Sequence, residues 1–142
     1  MIITDKDIYK IALITTIIGI VGLILTSGFI EPKELSVNQI TSNNINEKIV
    51  IHGTISSIKY SKNSKTCFIS LNDKTGRINL ILFESGLDDF NNHNININQF
   101  NNRNVKVTGT VTQYKNELEL SLEDSNSIKF ESSKLNSSSF LY

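Results

Sequence analysis

Basic and aromatic side chains are concentrated in one part of this 142-residue sequence, between Lys59 and Arg77. That window holds five basic residues and a single acid, Asp73, and it also contains Tyr60 and Phe68. Lys and Arg neutralise phosphates, and exposed aromatic rings stack on nucleobases. These are the residue types that a groove for single-stranded nucleic acid needs.

The candidate binding residues come from this window, the strand that follows it and a later hairpin. They are Phe68, Arg77, Tyr60, Lys59, Lys62, Lys65, Asn79, Tyr114 and Lys115. Phe68 is the most informative, because it faces outward if its neighbours Cys67 and Ile69 point inward. The alternative is that Phe68 packs under a loop or against the segment before the strands. The lysines have an alternative as solvated loop residues, and Tyr114 has one as a packing residue.

Composition limits the other functions. Lys and Arg number 14, as do Asp and Glu, so the formal net charge is +0 and strong, general nucleic-acid binding is not expected. His52 and His93 are far apart in sequence, with no Cys or acid at metal-ligand spacing around them. We therefore predict no enzyme, no metal site and no cofactor. The only cysteine, Cys67, is interpreted as a small core residue rather than a reactive thiol.

The most apolar stretch, residues 11–30, carries no charged residue. About 20 apolar residues in a helix span a hydrocarbon core roughly 30 Å thick, so we predict one transmembrane helix after a tail of residues 1–10. A cleaved signal peptide, with small residues at 26–28, and a buried core helix are the alternatives. The basic residues Lys6 and Lys10 before the helix lean toward a cytoplasmic N-terminus, which would place the remaining chain outside the cytoplasm.

Alternating apolar residues predict five strands after this helix. The strands cover 48–60, 66–72, 77–83, 104–114 and 117–124, with a short helix at 84–90 between the third and the fourth. This order is that of the five-stranded Greek-key OB-fold barrel, so we predict an all-β OB-fold domain over 46–130. Residues 31–45 are interpreted as a linker, and the Ser-rich residues 131–142 as a disordered tail.

Turn and bend positions can also be predicted. Gly53 inside the first strand suggests a bulge or a sharp coil, with a shift of register near Ser56 and Ser57. Residues 73–76 and 115–116 are predicted hairpin turns, the first with Gly76 at positive φ.

Four segments carry a resemblance to a known family: 49–55, 71–78, 105–111 and 117–120. They contain a glycine inside the first and the fourth strand, and an Asp before a Thr-Gly turn. The region from 46 to 124 resembles the OB-fold nucleic-acid-binding family, which includes anticodon-binding domains of some tRNA synthetases and single-stranded DNA-binding domains of replication proteins. Asn102 stands where members of that family often have a glycine, and Asn tolerates the left-handed conformation. The resemblance implies a ligand lying across the second and third strands.

Two classes of function stay open at this point. The first is a membrane-anchored module that binds single-stranded DNA or RNA weakly. The second is an extracytoplasmic interaction or chaperone domain, with proteins of a membrane complex as partners and no role in nucleic-acid binding. A haem-chaperone family has the same anchor-and-barrel plan, but it attaches haem through a His four residues before a Tyr. This chain has no such pair, so haem is disfavoured.

Overall fold

The computed structural model describes residues 2–28 and 31–132. Two compact units divide the chain, residues 1–31 and residues 32–142. Most of the predicted disordered tail, from 133 onward, lies outside the described residues.

The first unit contains the helix α1, Asp5–Ser27, which begins six residues before the predicted start at residue 11. Thr4 precedes it and donates both its backbone N–H and its hydroxyl to the Asp7 carboxylate, at 3.3 and 2.6 Å. This pairing occupies a backbone donor that has no partner inside the helix, and so it fixes the helix start. The predicted end at residue 30 lies outside the described residues. By length and composition alone α1 is able to cross a membrane, with a mean hydropathy of 2.3.

The second unit is a closed β-barrel. Its helix α2 spans Glu84–Asn92, and its strands are β1 (Lys33–Glu34), β2 (Lys48–Tyr60), β3 (Cys67–Asn72), β4 (Arg77–Leu82), β5 (Asn104–Tyr114), β6 (Glu117–Leu122) and β7 (Ile128–Phe130). Strands β2 to β6 correspond to the five predicted strands. They pair in the order β2, β3, β4, β6, β5 and back to β2. The β4–β6 pair is parallel and the others are antiparallel, which confirms the predicted Greek-key barrel. The description all-β was too strict, because α1 and α2 belong to the chain.

Inward-facing apolar residues on alternate positions fill the barrel, as the period of two predicts. Ile51, Ile69, Leu80, Val107 and Leu120 are among those with no exposed surface. Burial of side chains of this size supplies about 1.5–3 kcal/mol each, so these inward-facing residues dominate the stability of the barrel.

Gly53 allows β2 to approach β3 closely. A Cβ atom at this position would lie 2.6 Å from the Asn72 carbonyl oxygen, so any other residue would push the strands apart. The shift of register between β2 and β3 lies between Ile55 and Ser57, close to the predicted place.

The two predicted hairpin turns are present, and one has a different basis from the predicted one. Lys115 and Asn116 both have positive φ, 48° and 66°, as a tight two-residue turn requires. The prediction for Gly76 was wrong, since no described glycine has positive φ. The turn is held instead by the Asp73 carboxylate, which accepts the backbone N–H of Gly76 at 2.9 Å. Asn102 has a φ of 59°, the left-handed conformation that was expected there.

The segment interpreted as a linker, 31–45, belongs to the second unit from residue 32 onward. Strand β1 pairs in parallel with β2, and Ile40 is packed in the core cluster. The linker interpretation was wrong because a two-residue strand and two short 3-10 helices leave no hydrophobic period to detect. On the other side, β7 pairs with β5. His52 on β2 contacts Glu34 at 3.4 Å and Glu131 at 3.0 Å, and so joins β1 to the residue that follows β7.

Candidate nucleic-acid interface

The outer face of the barrel sheet is built from rows of residues that pair across neighbouring strands. Residues directly opposite each other on adjacent strands present their side chains to the same face. One row contains Lys59, Phe68, Ile81, Ser121 and Thr110, and the next contains Ser57, Ser70, Asn79, Glu119 and Thr112. We use the term outer face for these two rows and their continuation through Arg77. Most of the predicted binding residues of strands β2 to β4 therefore share one surface.

Phe68 occupies the centre of the first row. Its side chain is 43% exposed, and it pairs with Lys59 on β2 and with Ile81 on β4. Lys59 is also exposed. An aromatic ring with a cation directly across the strand is an arrangement that can stack a base and contact its phosphate.

Arg77 lies on the same face but not beside Phe68. Arg77 precedes Ile81, the partner of Phe68, by four positions along β4, and at the rise of a strand this is about 13 Å. The guanidinium donates from Nε to Asn72 Oδ1 at 3.1 Å and from Nη2 to Ser56 Oγ at 3.3 Å. Because these acceptors are neutral, the positive charge of Arg77 is positioned without being cancelled.

Tyr60 lies on the opposite side of β2 from Lys59. It pairs with Cys67, which is fully buried in the barrel. Its ring borders a depression of about 410 Å³ lined by Leu87, Ile95 and Ile97. The pKa of Tyr60 is raised, mainly by partial burial of the ring and to a smaller extent by the charge interaction with the nearby Cys67. The structure therefore does not bring Tyr60 together with Phe68.

The three predicted lysines of the β2–β3 region differ in their surroundings. Lys59 and Lys62 are exposed, the second in the loop that follows β2. Lys65 forms an ion pair with Glu84 at the start of α2, and this hydrogen bond raises the pKa of Lys65. Part of its charge is therefore already compensated within the protein.

Three predicted residues lie toward β5 and β6. Asn79 pairs with Ser70 on one side and with Glu119 on the other, so it lies in the middle of the second row. Tyr114 is 61% exposed at the end of β5. The Lys115 ammonium lies 5.3 Å from the centre of the Tyr114 ring, within the range of a cation–π contact.

The sequence reasoning missed the environment of Glu119. Alternation along residues 117–124 places Glu117, Glu119 and Glu123 on the side away from the core, where strand residues are expected to be exposed. Glu119 is in fact only 6% exposed, because it lies in the centre of the sheet between Asn79 on β4 and Thr112 on β5. Periodicity along one strand gives no measure of how the neighbouring strands cover a residue, so the sequence carries no signal for this burial.

A closed five-stranded barrel with this Greek-key order, with aromatic and basic residues on the face of its middle strands, defines an OB-fold domain. The chain belongs to the OB-fold nucleic acid binding domain family, whose model matches residues 49–127. No curated protein matches the chain.

Solved structures show the same fold at low sequence identity. A crystal structure of yeast Stn1 and Ten1 is 14% identical with a TM-score of 0.55, over 72% of this chain and 64% of that one. A putative aspartyl-tRNA synthetase from Leishmania major is 15% identical with a TM-score of 0.53, over 72% of this chain and 21% of that one. RecG bound to a three-way DNA junction is 20% identical with a TM-score of 0.50, over 71% of this chain and 13% of that one. The chain thus spans less than two thirds of each of these proteins, and the likeness concerns the fold.

Proposed function

We propose that this protein is a membrane-anchored binding module, without enzymatic activity, that holds single-stranded nucleic acid weakly on the β2–β3–β4 half of its outer face. The observation that carries the proposal is the pairing of the exposed Phe68 ring with Lys59 across the strands, on a barrel of a nucleic-acid-binding family. The ring supplies a stacking surface for any base, and the lysine supplies a phosphate contact.

The expected affinity is low, because few cations are available. Lys59, Lys62 and Arg77 contribute charge, whereas Lys65 is paired with Glu84. For single strands, a plot of the logarithm of the binding constant against the logarithm of the salt concentration has a slope of about −0.7 per neutralised phosphate. Three phosphate contacts therefore give a slope of about −2. A shallow salt dependence of this size would distinguish the site from a strongly basic nucleic-acid groove.

The membrane part of the proposal is supported by the chemistry of α1. Four hydroxyl residues follow residue 10 in this helix, and each donates to a carbonyl of the preceding turn, for example Thr15 to Ile11 and Thr16 to Ala12, both at 2.8 Å. Polar groups in a bilayer need such internal partners, since lipid offers none. The part of the helix from residue 11 to Ser27, which carries no charged residue, is thus compatible with a lipid environment.

The experiment is a titration of the full chain in mild detergent with a labelled single strand of about 16 nucleotides, followed by fluorescence anisotropy at several salt concentrations. We expect Phe68→Ala to weaken binding roughly tenfold, in line with the loss of one stacked base. Lys59→Gln should weaken it and reduce the salt slope by about 0.7. Lys106→Gln is the matched control, because Lys106 is exposed and pairs with His52, outside these rows. Absence of binding at low salt would overturn the nucleic-acid part.

A second candidate is an extracytoplasmic interaction domain that meets no nucleic acid. The observation that favours it is the charge distribution around α1, where Lys6 and Lys10 lie at its start and lean toward a cytoplasmic N-terminus. A reporter fused after Tyr142 and active on only one side of the membrane separates the two candidates. Activity in the cytoplasm supports the nucleic-acid function, and activity outside it supports the interaction domain.

A further inference from the structure

A groove of about 450 Å³ lies on the outer face over β4, β6 and β5. Phe68, Phe83 and Tyr114 line it, with exposures of 43%, 52% and 61%. Glu119 is the one charged residue among the described residues that line this groove. The groove therefore combines an aromatic rim with a single negative charge.

The Glu119 carboxylate is incompletely hydrogen-bonded within the part of the chain that the structure describes. Its Oε2 atom is buried and is the one buried side-chain oxygen or nitrogen in residues 2–28 and 31–132 without a hydrogen-bond partner. The pKa of the Glu119 carboxyl is raised, mainly by burial and to a smaller extent by the negative charge of the nearby Glu117. Buried polar groups are normally paired, so an unpaired carboxylate oxygen beside a groove is available to a donor from outside the protein, a water or a ligand group.

The chemistry of the groove selects among possible ligands. A phosphate is excluded from it by the charge of Glu119 and by the lack of a lining Lys or Arg among the described residues. A cation is favoured twice, because aromatic rings attract positive charge through their faces and a carboxylate pairs with it. Arginine meets both demands best, since its planar guanidinium stacks on rings while it donates two hydrogen bonds to one carboxylate.

We propose that this groove binds an arginine side chain of a partner protein, with the guanidinium held by the Glu119 carboxylate and flanked by the rings of Phe68 and Tyr114. The surface would then serve protein recognition on the β6–β5 half of the outer face, and it would share the Phe68 ring with the proposed nucleic-acid half. The inference does not depend on nucleic-acid binding, because the carboxylate that selects arginine, Glu119, takes no part in that proposal. The Phe68 ring belongs to both surfaces, so a base and a guanidinium would compete for it.

The test measures binding of fluorescent peptides to the full chain in detergent by polarisation. The probe is a short glycine-rich peptide with one central arginine, and the control peptide carries citrulline, which has nearly the same shape without the charge. We expect the arginine peptide to bind roughly tenfold more tightly or better, as a charge-assisted, ring-flanked pair requires. The Glu119→Gln variant should bind both peptides equally, at the level of citrulline.

Glu123→Gln is the matched control variant, since Glu123 is an exposed carboxylate that follows the same strand and pairs with Lys48 at 3.4 Å. It should retain the preference for arginine. Equal binding of the two peptides to the unaltered protein, or an arginine preference that survives Glu119→Gln, would overturn the proposal. So would a loss of oligonucleotide binding on Glu119→Gln, because the carboxylate would then be an acceptor for a base. Loss of oligonucleotide binding on Lys59→Gln with an intact arginine preference leaves the proposal supported.

Discussion

The carboxylate of Asp73 accepts a hydrogen bond from the backbone N–H of Val37 at 2.7 Å, although 36 residues separate the two in sequence. Its other oxygen accepts the backbone N–H groups of Thr75 and Gly76, at 2.7 and 2.9 Å. One side chain therefore closes the β3–β4 turn and also ties the segment after β1 to the barrel. The Asp before the Thr-Gly pair has a structural role that its position in the family motif alone does not reveal.

Asp73→Ala should lower the free energy of unfolding by about 1–3 kcal/mol, because several backbone N–H groups lose a charged acceptor. Urea denaturation of the full chain in detergent at neutral pH measures the change. Asp88→Ala is the control, since Asp88 is exposed on α2, and it should stay within about 0.5 kcal/mol of the unaltered protein. A cost for Asp73→Ala no larger than that of the control would contradict the assigned role.

The contribution of Asp73 to the folding stability should depend on pH. Desolvation acts to raise the pKa of Asp73, but the hydrogen bonds from Thr75, Val37 and Gly76 outweigh it and lower the pKa. A lowered folded pKa means that Asp73 stabilises the fold fully above its unfolded pKa of about 3.9, and that this is lost as pH falls through the folded value. The stability difference between Asp73→Ala and the unaltered protein should therefore shrink below about pH 4. A difference that stays constant down to pH 2 would argue against it.

Gly53→Ala should destabilise the barrel by about 1–3 kcal/mol through overpacking. The added Cβ would meet the Asn72 carbonyl oxygen at 2.6 Å, and backbone cannot move aside easily. Gly76→Ala is the comparison, because its Cβ would meet only the Val37 side chain, at 3.1 Å, and its φ is not positive. Thermal unfolding monitored by circular dichroism should give a Tm well below that of Gly76→Ala for Gly53→Ala. The opposite order of the two Tm values would restore the original expectation that Gly76 needs a positive φ.

The strands could be predicted from sequence because one physical property decides them. Val105, Val107 and Val111 alternate along β5 and all three are fully buried, so a period of two is enough to orient the strand. The turn at Lys115 and Asn116 could be predicted because a tight hairpin between two strands has a short list of solutions. Pairings between short segments that are far apart in sequence could not be predicted in this way. Strand β1 has two residues, and its position depends on contacts with Val50 and Asp73 that no local pattern encodes.

In the candidate site too, features set by the strand period could be predicted, and features set by pairing between strands could not. The outward orientation of Phe68 follows from the strand period, and its 43% exposure agrees with it. Its neighbours were harder to predict, because the partner of a strand residue depends on register. Register places Lys59 opposite Phe68 and moves Arg77 along the strand. The exclusion of Tyr60 from this surface follows from the same register, since it pairs with the buried Cys67.

Cys67 should be unreactive in the folded protein. It is fully buried, and burial raises the pKa of its thiol to about 11, so the reactive thiolate is scarce at neutral pH. Because it is the only cysteine, a chromogenic disulfide reagent reports on this one site. We expect labelling at pH 7 to be slow in buffer and to accelerate in step with unfolding as urea is added. Rapid stoichiometric labelling without urea would show that the barrel opens around β3.

Glu119→Gln should stabilise the protein at neutral pH. A carboxyl with a raised folded pKa opposes folding once it is ionised, so its cost is absent below the unfolded pKa of about 4.3 and grows as pH rises through the folded value. Relieving an unpaired buried carboxylate is worth about 1 kcal/mol or more, which corresponds to roughly 4–8 °C in Tm for a domain of this size. The gain should be present at pH 7 and should disappear near pH 4, where the native residue is neutral. Glu123→Gln, at an exposed ion pair, should change Tm little at either pH. A lower Tm for Glu119→Gln at pH 7 would mean that the carboxylate stabilises the fold, and the protein would then have no need of an external partner for it.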